Sequence, residues 1–151
     1  MENEELIAQV QTRFPEASIV LGNDFPEVSI DSKQLLPVLQ TLKTEPSLAF
    51  NFLFCETCVD WKTHFTMVYH LESTTHRHNL VIKANLDRVQ PEIETACHLY
   101  RAAELHEREI FDLFGIIFTN HPHLRRILLT DDWVGYPLRK DYDDPINMIK
   151  L

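Results

Sequence analysis

Cys55 and Cys58 form a C-x-x-C pair, a spacing that can serve a redox couple or half of a zinc site. Residues 48–54 alternate as in a β-strand, and a strand that continues through both cysteines would point their side chains to opposite faces. Sulfur atoms on opposite faces can neither close a disulfide nor share a metal. The sequence favours two half-buried cysteines, with a stand-alone redox or zinc-binding domain as the alternative.

Eight histidines raise a second metal hypothesis. His76 and His78, like His121 and His123, are separated by one residue, whereas helical zinc sites place two histidines four positions apart. His106 begins H-E-R-E, which lacks the second histidine of H-E-x-x-H. No phosphate-binding or nucleophile-elbow motif occurs, and the chain has three glycines. We therefore expect no catalytic, cofactor-binding or metal-binding residue in this chain.

A helix predicted to end at Phe114 carries charges among large apolar residues. Four of them fall three or four positions apart and should form a charge ladder along one stripe. They are Arg101, Glu104, Arg108 and Asp112. Glu107 is flanked by apolar residues, where a carboxylate is unfavourable unless it is hydrogen-bonded or paired. Either Glu107 and Glu109 extend to water, or one of them pairs with Arg125 or Arg126 and fixes the following segment to the helix.

Residues 116–151, the C-terminal arm, follow Gly115, which suits the left-handed position after a helix. The arm has no sustained periodicity, yet its large apolar residues distinguish it from disordered sequence. Its aromatic and arginine residues are typical of interface hot spots. These are Trp133, Tyr136, Arg139 and Tyr142. We predict that the arm docks on a partner; the alternative is that it wraps the chain's own core.

The scaffold is predicted to be one α+β domain, residues 1–115, with a mostly antiparallel sheet and helices on one face. We expect helices over residues 3–13 and 32–45, and from Glu92 to Phe114 with one break near Tyr100. Strands are expected around residues 17–21, 27–30, 48–54, 61–71 and 80–84. Two alternating sets should each share one strand face. The sets are Leu48, Phe50, Phe52, Phe54 and Trp61, Thr63, Phe65, Met67, Tyr69, Leu71.

Charge and composition exclude several classes of protein. The formal net charge is −9, and residues 1–60 carry ten acidic against three basic side chains, so nucleic acid is not an expected partner. No run of 18 apolar residues predicts a transmembrane segment, and the acidic N-terminus does not resemble a secretory signal. Three cysteines suggest no disulfide framework. We expect a chain that stays in a reducing compartment.

The run from Glu107 to Ile116, followed by H-P-x-L-R-R-I-L and by the segment Asp132 to Tyr142, resembles the C subunit (30 kDa type) of NADH-quinone oxidoreductase, respiratory complex I. Asn120 stands where that family usually has glycine, and the two cysteines of the C-x-x-C are outside its pattern. The residues that carry the signature or the predicted interface are Glu107, Arg108, Glu109, Asp112, Gly115, His121, Pro122, Arg125, Arg126, Trp133, Tyr136, Arg139, Lys140, Asp141 and Tyr142.

The resemblance implies a non-catalytic accessory subunit of the hydrophilic arm of the complex. FMN and iron–sulfur clusters would belong to the holocomplex, which passes electrons from NADH to quinone and translocates protons. The C-terminal arm would lie along the quinone-site D subunit, at the cytoplasmic, matrix or stromal face of an energy-transducing membrane. The alternative is the homologous small subunit of a membrane-bound [NiFe] hydrogenase or a related dehydrogenase complex.

We expect that changing Arg125 and Arg126 together to alanine weakens assembly and leaves the isolated fold largely intact.

Overall fold

A computed structural model describes residues 3–148 and confirms the α+β class. The helices are α1 (Asn3–Arg13), α2 (Leu35–Thr44) and α3 (Ala103–Phe114), with a 3-10 turn at Ser32–Gln34 before α2. The strands are β1 (Ser18–Leu21), β2 (Pro26–Asp31), β3 (Phe52–Asp60), β4 (His64–Ser73), β5 (His78–Asp87), β6 (Glu92–Glu94) and β7 (Ile117–Thr119). Asp31 caps the 3-10 turn, because its side chain accepts a hydrogen bond from the Lys33 amide.

The five-stranded sheet has the order β1-β2-β5-β4-β3. All neighbouring strands are antiparallel except β2 and β5, which are parallel. The chain segment with α2, β3 and β4 provides the long crossover connection that a parallel pair requires. Alternate residues of the central strands point into one core, which also receives the apolar faces of all three helices. These buried strand residues include Phe65, Met67, Tyr69, Leu71, Leu80, Ile82 and Ala84. The predicted alternation of β4 from Phe65 onward and the strand expected at residues 80–84 are confirmed.

The predicted helix beginning at Glu92 is wrong. Glu92–Glu94 forms β6, which pairs in parallel with β7, and backbone hydrogen bonds from Ile117 to Pro91 and from Thr95 to Thr119 extend this pairing. Turns follow, and α3 begins only at Ala103. A strand partner more than 20 residues away overrides the local helical preference. Arg101 therefore precedes the helix, and the predicted charge ladder loses its first member.

The predicted common face for Leu48, Phe50, Phe52 and Phe54 is also wrong. Leu48 and Phe50 are buried, whereas Phe52 and Phe54 are exposed. A turn with left-handed Ala49 precedes β3, and a register shift between Leu53 and Cys55 interrupts its pairing with β4. Both features change the face to which alternate residues point. Trp61 and Thr63 lie in the β3–β4 turn and are likewise exposed.

Gly115 ends α3 in the left-handed conformation that its position predicts, with φ of 72°. A Cβ here would lie 2.6 Å from the Tyr136 ring and 2.8 Å from a guanidinium nitrogen of Arg139. We expect Gly115→Ala to lower the free energy of unfolding by about 2 kcal/mol, because the left-handed backbone alone costs a non-glycine residue about 1–2 kcal/mol. Urea denaturation measures this loss, and unchanged stability would contradict it. Gly115→Asn separates the two causes, since asparagine tolerates the backbone but retains the Cβ contact.

Candidate partner interface at the C-terminal arm

Asp112 holds the first part of the C-terminal arm against α3. Its carboxylate is fully buried; Oδ2 accepts the amides of Ile127, Leu128 and Leu129 at 3.1, 2.7 and 2.9 Å. Oδ1 accepts a 2.8 Å hydrogen bond from the Arg126 guanidinium. Burial opposes ionisation, but the hydrogen bonds from these amides and from Arg126 outweigh it and lower the pKa of Asp112. Asp112 thus binds the arm as a charged, fully hydrogen-bonded carboxylate.

Arg126 is used inside the chain rather than on its surface. Besides Asp112, its guanidinium donates to the carbonyl oxygens of Trp133 and Gly135 at 3.1 and 3.2 Å. It also lies 5.2 Å from the centre of the Tyr136 ring. The predicted pairing of Arg126 with Glu107 or Glu109 is therefore wrong, because Asp112 is its partner.

The other signature arginines divide between the fold and the surface. Arg108 donates to the carbonyl oxygens of Arg125 and Arg126 at 3.3 and 3.2 Å, so it binds the arm instead of joining a ladder with Asp112. The Arg125 side chain is exposed. Removing Arg126 breaks internal hydrogen bonds, so the double alanine change at 125 and 126 should destabilise the isolated fold. The expectation of an intact isolated fold for that variant is corrected accordingly.

Arg139 attaches the second part of the arm to the end of α3. Its Nε donates to the Phe114 carbonyl at 2.5 Å, and the neighbouring Leu138 amide donates to the Leu113 carbonyl at 3.0 Å. The guanidinium lies between aromatic rings, 4.8 Å from the centre of Tyr136 and 5.2 Å from that of Phe65. These donors satisfy helix-end carbonyls that have no partner within α3.

Asp60, which the sequence analysis did not single out as a site residue, anchors the arm at a third point. Its buried carboxylate accepts the amides of Lys140 at 2.9 Å and Lys62 at 2.7 Å, and pairs with Arg88. Burial opposes ionisation, but the two amides and Arg88 outweigh it and lower the pKa of Asp60. Arg88 also reaches Asp141 at 3.1 Å. The only sequence feature near this role is that Asp60 directly precedes the strand predicted to begin at residue 61.

Glu107 is fully buried, and the hydrogen-bond partners of its carboxylate are not arginines, so for this residue both predicted alternatives are wrong. Oε1 accepts the Ala96 amide at 2.6 Å, and Oε2 accepts the Thr95 hydroxyl. His121 Nε2 lies 3.7 Å from Oε2. Burial raises the pKa of Glu107 to about 7, against the opposing effect of these two hydrogen bonds. Glu109, two residues later, is exposed.

The remaining predicted interface residues differ in exposure. Pro122, Lys140 and Asp141 are exposed, whereas His121, Trp133, Tyr136 and Tyr142 are half-buried. The Trp133 indole N–H is buried and has no hydrogen-bond partner within residues 3–148. The arm's aromatic and guanidinium groups thus largely face its own chain.

The exposed residues of the arm include several large aliphatic side chains. The most exposed of them are Leu128 (63%), Leu138 (51%), Val134 (88%) and Ile146 (90%). Exposed apolar side chains that form a patch commonly mark interaction sites. The candidate interface therefore consists of aliphatic residues carried on a backbone that Asp112, Arg139 and Asp60 hold in place.

The cysteines stand apart from the arm. All three are free thiols; Cys58 is buried and points into the core, while Cys55 is half-buried three positions earlier on β3. Burial raises the pKa of Cys58 to about 12, with the nearby Asp60 charge as a smaller cause.

Between residues 3 and 148, no group of three or more His, Cys, Asp or Glu side chains is placed to hold a metal ion. Within the same range, no helix has both the length and the apolar character needed to cross a bilayer.

Residues 28–146 match the profile of the family described as the respiratory-chain NADH dehydrogenase 30 kDa subunit. The chain belongs to this family. The 30 kDa subunit family includes the C subunit of NADH-quinone oxidoreductase from Moorella thermoacetica, 41% identical over 141 residues, which are 92% of this chain and 94% of the relative. That from Citrifermentans bemidjiense is 40% identical over 146 residues, 93% of this chain and 89% of the relative. The resemblance stated from the signature residues is confirmed.

Three further proteins are similar to this chain. In Phocaeicola vulgatus a single NADH-quinone oxidoreductase chain named for both the C and D subunits is 41% identical over 114 residues, 74% of this chain but 22% of that protein. A trypsin-resistant fragment of Nqo5 has the same fold, with a TM-score of 0.70, 23% identity, and coverage of 82% of this chain and all of the fragment. A chain of the membrane-bound sulfane sulfur reductase, an archaeal respiratory membrane complex, has a TM-score of 0.81 and 27% identity, covering 93% of this chain and 85% of the other.

Proposed function

We propose that this chain is the non-catalytic C subunit of an NADH:quinone oxidoreductase and packs against the quinone-site D subunit through its C-terminal arm. The observation that carries the proposal is the relative from Phocaeicola vulgatus, in which a region similar to this chain belongs to one polypeptide named for both the C and D subunits. Two subunits that occur joined in one polypeptide must lie close together in its assembly. We expect the C and D subunits to be neighbours also when they are separate chains.

The arm is suited to this role because its backbone is already ordered. Asp112 and Asp60 hold its two halves through buried hydrogen bonds, so a partner does not have to order the arm on binding. The exposed aliphatic side chains would then be covered by the D subunit, and full burial of one such side chain contributes about 1.5–3 kcal/mol. Pre-organisation and apolar burial together favour a permanent interface.

Electron transfer is assigned to the rest of the complex. FMN and the iron–sulfur clusters would be held by neighbouring subunits, and this chain would stabilise the hydrophilic arm that contains them. The holocomplex would oxidise NADH, reduce quinone and couple the reaction to proton translocation. The chain would sit at the cytoplasmic, matrix or stromal face of the membrane, attached through its partners.

Two changes on the outer surface of the arm test the interface. The double variant Leu128→Asp with Leu138→Asp should reduce co-purification of the D subunit with the tagged chain by at least tenfold, equivalent to about 1.4 kcal/mol, because two unpaired carboxylates would be buried. Subunits that co-purify are identified by mass. Thermal unfolding of the isolated variant should be nearly unchanged, since both leucines are exposed.

Leu105→Asp provides the matched control, because Leu105 is also an exposed leucine, 58% accessible, but lies on α3. It should leave recovery of the D subunit at the wild-type amount. Equal recovery of that partner with the double variant and with this control would refute docking through the outer surface of the arm.

A second candidate is the equivalent subunit of another respiratory membrane complex, such as a membrane-bound [NiFe] hydrogenase or a related dehydrogenase. The structural similarity to a chain of the sulfane sulfur reductase complex supports this second candidate. Purification of the native complex separates the two. An NADH-binding flavoprotein among its subunits supports the NADH:quinone oxidoreductase, whereas nickel in the complex supports the hydrogenase type.

A further inference from the structure

Glu56 is a buried carboxyl group that the partner interface does not use. It lies on β3, is 4% exposed, and neither side-chain oxygen has a hydrogen-bond partner within residues 3–148. Tyr69 is directly opposite Glu56 in the β3–β4 register, and its fully buried hydroxyl is also without a partner there. An ionised carboxylate in such surroundings is strongly unfavourable. The surroundings therefore favour a neutral, protonated Glu56.

The elements packed around Glu56 supply negative or neutral groups. Glu107 on α3 repels it electrostatically, and Cys58 and Tyr69 are the neighbouring titratable groups on β3 and β4. The cations Arg88 and Arg139 lie on the far side of Cys58. Arg88 is paired with Asp60, and Arg139 donates to the Phe114 carbonyl oxygen. Cys55 and Glu109, on the more exposed side, are further titratable groups near this site.

His121 lies against Glu107, and both of its ring nitrogens have neighbours within the chain. Nδ1 accepts the His123 amide at 3.0 Å. Nε2 lies 3.1 Å from the Glu104 carbonyl oxygen and 3.7 Å from Glu107 Oε2. Glu56 and Glu107 are two carboxyl groups in one apolar core, where both cannot ionise without a large unfavourable interaction.

Hydrogen bonding distinguishes the two carboxyl groups. Glu107 accepts an amide and a hydroxyl, which stabilise its charged form, whereas Glu56 has no such donor among the described residues. We propose that Glu56 and Glu107 form a buried site that retains a proton above neutral pH, and that this proton resides on Glu56. In agreement, burial and the Glu107 charge raise the pKa of Glu56 well above its ordinary value of 4.5.

The site makes the packing of α3 on β3 sensitive to pH. A raised pKa means that the folded chain holds protons which the unfolded chain releases. The associated stabilisation is complete below pH 4.5 and is lost as pH rises through the pKa values of the folded pair, of which Glu107 titrates at about 7. Because α3 also carries Asp112, loss of the bound proton weakens the helix to which the arm is attached.

Infrared spectroscopy of the full-length chain in deuterated buffer at about pH 8, above the pKa of about 7 at which Glu107 titrates, tests the proposal. The wild type and the control Glu109→Gln, whose glutamate is exposed, should both show the carbonyl stretch of a protonated carboxyl group. Glu56→Gln should lose this band and remain folded, because glutamine matches the uncharged shape of the protonated side chain. A wild type without the band, or a band that persists in Glu56→Gln, would overturn the proposal.

A second measurement uses the wild type alone and so does not depend on whether the variant folds. With carbon-13 at the glutamate carboxyl positions, an NMR titration should show one glutamate still protonated at about pH 8. At that pH the exposed glutamates have ionised near their usual pKa of about 4.3, and Glu107 has ionised at its pKa of about 7. If every glutamate has ionised at that pH, the site does not bind a proton and the proposal fails.

Discussion

Asp112→Ala should lower the free energy of unfolding by about 3–5 kcal/mol, the usual loss when one partner of a buried ion pair is removed. The change leaves the amides of Ile127, Leu128 and Leu129 without their acceptor and leaves Arg126, 13% exposed, without its carboxylate. We expect the arm to separate from α3 even where the sheet remains folded, because the lost contacts join these two parts of the chain.

Urea denaturation gives the change in stability, and limited trypsin digestion reports on the arm. Cleavage after Arg125 and Arg126 should become faster in Asp112→Ala than in the wild type. Asp131→Ala is the matched control, since Asp131 is an exposed aspartate of the same arm. Wild-type stability together with wild-type cleavage would show that Asp112 does not hold the arm.

The charged form of Asp112 also predicts a pH dependence with a definite sign. Its pKa is below the ordinary value of 3.8, so the folded chain binds fewer protons than the unfolded chain as this residue titrates. The stabilisation is present above pH 3.8 and is lost as pH falls through the lowered pKa. Asp112→Ala should therefore lack this part of the acid-induced loss of stability.

Asp60→Ala has the second-largest expected effect, a loss of about 2–4 kcal/mol. The substitution removes the acceptor of the Lys140 and Lys62 amides and one of the two carboxylate partners of Arg88. The loss should be smaller than for Asp112→Ala because Asp141 still pairs with Arg88. The part of the arm around Lys140 should be released from the end of β3.

Hydrogen exchange locates the effect of Asp60→Ala. The Lys140 amide should exchange faster in the variant, while exchange of amides in the centre of β4 should change only with global stability. Asp24→Ala, at an exposed aspartate of the β1–β2 turn, should leave Lys140 exchange unchanged. If the Lys140 amide remains equally protected in Asp60→Ala, Asp60 is not the anchor of this segment.

Interactions within short stretches explain which features were predictable. The alternation from Phe65 to Leu71 and the hydrophobic spacing of α2 are local patterns, because each residue's orientation follows from that of its neighbours. Gly115 was predictable for the same reason, since its left-handed conformation depends on the end of one helix. The long spaced signature from Glu107 to Tyr142 sufficed to indicate the family that the profile match confirmed.

The partners of the charged side chains were not predictable. Asp112 binds residues 14–17 positions later, and Asp60 binds an amide 80 positions away. The same was true of Glu92–Glu94, whose strand partner lies at Ile117–Thr119, and of Phe52, which a turn and a bulge direct outward. In each case the deciding contact joins segments whose distance in space the sequence does not specify.

The sequence by itself determined the fold class, the positions of α1, β1 and β2, the end of α3, and the family, because these depend on local conformational preference and on residue spacing. Only the tertiary structure decided that Arg126 and Arg139 bind within the chain, which aliphatic residues of the arm are exposed, and that Glu56 shares a core with Glu107. The physical reason is that hydrogen bonding and burial act between whatever groups folding brings together, and charge type alone does not identify the partner.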